Sequence, residues 1–89
     1  MKIKIDKKLV DNVIDETKRY HADATKDKFL ILNEARKDFT RALGDMDNSA
    51  RYNLGVIISS IALINYHTRS SKEVAYDMLR VLGVEVEWS

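Results

Sequence analysis

Ala22-Asp23-Ala24-Thr25-Lys26-Asp27 is the stretch that decides how the first half of this chain folds. It is polar, and either Asp23 or Asp27 is suited to capping a second helix, so it has the look of a break. Yet it contains neither Gly nor Pro, and the residues on its two sides keep one phase. Val10, Ile14, Thr17, His21, Ala24, Ile31, Leu32, Ala35, Phe39 and Ala42 form a single apolar or ambivalent stripe at helical spacing. The pattern favours one long or gently kinked helix from about Lys7 to Leu43 over two separate ones. Asp6 is placed to cap its start, and Gly44 to end it in a left-handed turn. At ~1.5 Å per residue such a helix is about 55 Å long, whereas a compact chain of this length has a radius of gyration of roughly 12 Å. One end of it would project past a monomer's core with apolar surface in water. A homo-oligomer, with a dimer favoured, is the expectation.

Working outward, Gly44-Asp45-Met46-Asp47-Asn48-Ser49 reads as a turn with Asp47 or Asn48 as the next cap. A helix from Ala50 to about His67 follows, apolar nearly all round, which suits the middle of a bundle or a subunit contact. Gly55 and Ser59, one turn apart, make a small-residue groove in it where another helix can come close. Ser70 and Glu73 have capping-box spacing and open a short helix with Val74, Ala75, Met78, Leu79 and Leu82 inward, stopped by Gly83. Both termini alternate with period two. Ile3 and Ile5 interleave with Lys2 and Lys4, while Val84, Val86 and Trp88 interleave with Glu85 and Glu87. These segments are expected to pair within or between chains, with Lys facing Glu and Trp88 on a packed face. The fold class is mainly α: a single helical domain over residues 1–89, a small bundle with a two-stranded ladder from its termini.

Composition narrows the function classes. The chain has 89 residues, 45% hydrophobic, and its 15 Lys and Arg nearly cancel its 14 Asp and Glu, so neither disorder nor a polyanion-binding coat is expected. With no Cys there is no disulfide, thiol chemistry, iron–sulfur cluster or Cys-type zinc site. Met1 to Asp6 lacks the apolar core of a signal peptide. The run from Leu54 to Ile64 is far shorter than the ~20 residues of a membrane span. The expectation is a cytoplasmic protein without a membrane partner.

Catalytic templates are largely missing. Three scattered glycines make no phosphate loop, and Ser59 and Ser60 have no nucleophile elbow around them. Asp45-Met46-Asp47-Asn48-Ser49 begins like a calcium loop, but Ala50 stands where Gly is needed and Val56 where the bidentate Glu belongs. His21 and His67 have no ligand-spaced partners; His21 reads as a core-edge residue and His67 as the end of its helix. Asp11 and Asp15 fall on a solvated face. No enzyme, metal or cofactor is expected.

Two surfaces remain. On a continuous first helix Lys8, Arg19, Lys26 and Lys37 fall in one basic line opposite the stripe, able to meet phosphates. Leu30 points outward there with Phe29 beside it, a candidate contact patch for a protein partner. Basic and aromatic residues are also neighbours at Arg19-Tyr20-His21, Arg51-Tyr52 and Tyr66-His67-Thr68-Arg69, while Tyr76 and Arg80 are spaced to stack. His67-Thr68-Arg69-Ser70 joins two helices in helix-turn-helix style, but Glu73 and Asp77 equip the second poorly for a groove. The leading expectation is a non-enzymatic interaction protein, a homo-oligomeric regulator or inhibitor that binds another macromolecule through Phe29 and Leu30. Its lean toward Lys, Ile and Asp is common in phages and mobile elements. The alternative is binding of nucleic acid or a nucleotide through Lys8, Arg19, Tyr20, Lys26, Lys37, Arg51, Tyr52, Tyr66 and Arg69.

Overall fold

In the computed structural model, which describes residues 3–88, the stretch at 22–27 ends one helix and starts another. Helix α1 spans Lys7–Ala22 and α2 spans Lys26–Ala42. Between them Asp23 and Thr25 are extended, with φ −150° and −95°. The Thr25 amide donates to the Asp23 carbonyl at 2.9 Å, and the Thr25 side chain accepts from the Lys28 amide at 3.3 Å. Thr25 is therefore the cap of α2, in place of Asp23 or Asp27; Asp23 instead ion-pairs with Lys28 across the turn at 2.7 Å.

The continuous helix is thus corrected to a helical hairpin, and the reason is burial. Folded back, α1 offers Val10, Val13, Ile14 and Thr17 and α2 offers Leu32 and Phe39 to one interior. Held straight, half of those residues would stay in water, at roughly 1.5–3 kcal/mol for each large apolar side chain. Two facing helices each need a stripe, so an unbroken phase does not separate a hairpin from a rod. With extents of 38 × 30 × 25 Å the molecule has no projecting arm. No projecting helix end therefore calls for a second copy to cover it.

Helix α3 spans Asn48–Ala62 and α4 spans Ser71–Val81. Asp6, Asp47 and Ser70 cap α1, α3 and α4 by accepting from the amides of Lys8, Ala50 and Glu73 at 2.9, 3.3 and 3.2 Å. Helix α3 stops short of His67. The Leu63 and Ile64 amides donate to the Ser60 and Ile61 carbonyls, tightening the last turn, and His67 sits exposed in the irregular connection at 63–70. That connection is also longer than the ~3–4-residue turn of a helix-turn-helix. Gly44 follows the Leu43 cap of α2 but does not turn left-handed. Gly83 does, at φ 87°, and it alone among the described residues.

Strands β1 (Ile3–Asp6) and β2 (Val84–Glu87) pair in parallel within the chain, in the register Ile3↔Val84, Lys4↔Glu85, Ile5↔Val86. Parallel neighbours need a long crossover, here supplied by the helices. Ile5 and Val84 are buried and close one end of a core that also holds Phe39, Leu43, Ile58 and Leu79. Trp88, by contrast, is 71% exposed; its ring touches only an edge of the molecule, against Tyr76 at 5.5 Å and under the Lys7 ammonium at 4.9 Å. Inward-facing positions of α4 are likewise fewer than its spacing suggests: Ala75 and Leu79 are buried, while Met78 and Leu82 are exposed. Among the described residues no helix is long and apolar enough to cross a membrane.

Candidate functional site

Where α1, α2 and α3 meet, three polar side chains enter an otherwise apolar region. Thr17 sits on the inner side of α1 and Ser59 on that of α3, both buried. Arg36 comes from α2, four residues after buried Leu32 and three before buried Phe39, so helical geometry turns it inward. Its Nε and Nη2 donate to the Ser59 hydroxyl oxygen at 3.1 and 2.9 Å. The Thr17 hydroxyl donates to the Val13 carbonyl at 2.6 Å and lies 3.1 Å from Ser59 Oγ. Each hydroxyl has one proton. With that of Thr17 on Val13, the Ser59 proton goes to Thr17 and both Ser59 lone pairs face Arg36. The chain Arg36–Ser59–Thr17–Val13 is thereby ordered in one direction. Among the described residues no carboxylate pairs with Arg36.

Above this floor opens a cleft of about 360 Å³, walled by Phe29, Leu32, Val56 and Leu63 with Tyr20 and His21 at its edge. The rings of Tyr20 and Phe29 lie 5.7 Å apart, tilted at 55°. His21, expected at the core edge, is exposed on this rim.

Helix α3 also presents an outer face. Tyr52, Val56 and Ile57 are exposed along it, and Leu63 and Ile64 just past its end, Tyr52 at 70% and Ile64 at 51%. From Asn48 to Ile64 the sole charged residue is Arg51. Arg51 is half-buried and donates to the Asn48 side chain, and its buried Nε has no partner. Gly55, expected to let another helix approach, has open space where a side chain would begin: nothing lies within 4 Å of an added Cβ.

The remaining sequence candidates are spread over the molecule. Phe29 and Leu30 are both exposed, but Phe29 lines the cleft and Leu30 does not. Lys8 and Arg19 belong to α1 and Lys26 and Lys37 to α2, so the hairpin divides the basic line between two helices. Two of its cations are engaged as well, Arg19 with Glu16 and Lys37 with Glu34 at 3.5 Å. Tyr20 turns toward Phe29, and Tyr66 packs against the core while Arg69 pairs with Asp77. Tyr76 does not stack on Arg80, which ion-pairs with Asp77 at 3.3 Å. Instead the Tyr76 hydroxyl donates to Asp11, which also takes Lys7 at 2.6 Å, and Asp15 takes Lys72 at 3.2 Å. The two aspartates are therefore tied to other side chains rather than freely solvated. Burial pushes the Tyr76 phenol above its ordinary range, and the bond to Asp11 adds to the shift.

Comparison with protein-family models, curated proteins and solved structures yields no match. Among the described residues no group of three or more His, Asp or Glu side chains gathers to hold a metal.

Proposed function

We propose that this chain is a non-enzymatic interaction protein that works as a homodimer joined through the outer face of α3. The observation that carries the reading is that face itself: Val56 and Ile57 exposed on α3, and Leu63 and Ile64 exposed just past its end. Large apolar side chains left exposed in one region of a soluble protein mark contact sites. The second copy is the favoured occupant because the face carries no charge. In a two-fold contact each patch meets itself, so an uncharged helix face is its own complement and leaves no ion buried without a partner. A net charge of +1 adds little repulsion between copies. In this reading the dimer regulates or inhibits a further macromolecule, with Phe29 and Leu30 on α2 as contacts.

The test is a pair of charges placed on the face. Ile57→Asp with Ile64→Asp is expected to give a monomer by light scattering, with unchanged helical circular dichroism, at concentrations where the unaltered chain is a dimer. Equal masses for the two proteins would overturn the reading.

A further inference from the structure

We propose that the cleft between α1, α2 and α3 binds a small apolar monocarboxylate, its carboxylate on Arg36 and its hydrocarbon between Phe29, Leu32, Val56 and Leu63. The cleft shares Val56 and Leu63 with the proposed dimer face, but Ile57 and Ile64, the residues that test the dimer, do not line it, so the two readings can fail separately.

A guanidinium has five N–H donors in a rigid fork. Ser59 takes the Nε hydrogen and one on Nη2. Among the described residues nothing else accepts from Arg36, which leaves the Nη1 pair and the second Nη2 hydrogen for a ligand. The edge that remains matches a carboxylate in two parallel bonds, the strongest geometry this side chain offers. Ser59 and Thr17 hold that edge in place beforehand, so little ordering is left to be done on binding.

The walls choose the rest of the ligand. Four large apolar side chains line the cleft together with the cation, and about 360 Å³ lies at the small end of the ~300–1,000 Å³ typical of ligand pockets. A single half-buried cation balances one negative charge. A phosphate dianion would carry a second charge with no Lys or further Arg among the lining residues to meet it. Acetate satisfies Arg36 but leaves the walls wet, and an alcohol of equal length fills the walls but leaves the fork unpaired. A medium-length carboxylic acid does both.

Amide NMR titration of the full chain with sodium octanoate, octanol and sodium acetate tests this directly. Octanoate is expected to shift the Arg36 Nε–H, Ser59 and Phe29 signals with an affinity at least about tenfold higher than octanol, the scale of a hydrogen bond to a charged group. Acetate is expected to shift nothing at the same concentrations. Arg36→Lys keeps the charge but not the fork, and it is expected to lower octanoate to the level of octanol. The Ile57→Asp, Ile64→Asp protein is expected to bind octanoate like the unaltered chain. Equal affinities for octanoate and octanol, shifts centred outside the cleft, full octanoate binding by Arg36→Lys, or loss of octanoate binding on breaking the dimer would each overturn the proposal.

Discussion

Two adjacent serines on α3 are expected to respond very differently to alanine. Ser59→Ala removes the oxygen that Arg36 meets at 3.1 and 2.9 Å and that Thr17 meets at 3.1 Å. Hydrogen bonds to a charged group contribute about 1.5–3 kcal/mol each. Arg36 is half-buried, so water recovers part of the loss, and Thr17 keeps its Val13 carbonyl. The net cost is about 2 kcal/mol. At roughly 4–8 °C per kcal/mol for a domain of this size, Tm falls by about 8–16 °C. Ser60 is exposed, and its hydroxyl only donates back to the Val56 carbonyl of its own helix at 2.9 Å. Ser60→Ala is therefore expected within about 0.5 kcal/mol of the unaltered chain. Urea unfolding followed by far-UV circular dichroism measures both. A double-mutant cycle with Arg36→Met isolates the contact, with a coupling of about 1 kcal/mol or more. Ser59→Ala as benign as Ser60→Ala, or strict additivity with Arg36→Met, would refute the ordered chain.

The termini supply a second contrast: Ile5→Ala is expected to cost about 3 kcal/mol because Ile5 is buried in the core. Trp88→Ala, despite the larger side chain, is expected to cost about 1 kcal/mol or less in the same unfolding assay, because only one ring contact and the Lys7 ammonium are lost. Gly83→Ala forces a Cβ onto φ 87° and is expected to cost about 1–2 kcal/mol, whereas Gly55→Ala, in a helix with free space above it, is expected to stabilise by up to about 1 kcal/mol. The hydrogen bond from Arg69, with the charges of Arg69 and Arg80, holds the Asp77 carboxyl below its ordinary range. Its contribution is therefore complete above about pH 4 and is lost as pH falls through the lowered value. Asp77→Asn is expected to flatten that part of the acid unfolding curve, and a carboxyl NMR titration reads the shift itself.

Local signals were the legible ones. Asp6, Asp47 and Ser70 each act where a short acceptor precedes an apolar run, and the alternation of both termini with opposite charges is enough to pair them. The hairpin was hidden because the Thr25 cap leaves the stripe in phase, so the break shows only in what the fold buries. Trp88 misleads for the converse reason: period two puts it on the face of Val84 and Val86, but the sheet ends before it and leaves it mostly exposed, beside Tyr76 and the Lys7 ammonium. Of the cleft, Phe29 and Tyr20 were visible as candidates and Arg36 was not. Its signal was present in the spacing, since Arg36 occupies an apolar-stripe position between Leu32 and Phe39. A charge at such a position asks for a partner, and that partner, Ser59, lies 23 residues away on another helix. No local pattern connects the two. The basic line failed with the helix that carried it.

The mass of the protein in solution tests the dimer most directly. Light scattering from micromolar to millimolar concentration is predicted to show a species of twice the 10.3 kDa chain mass, which Ile57→Asp with Ile64→Asp reduces to a single chain. A mass of one chain across that whole range would contradict it.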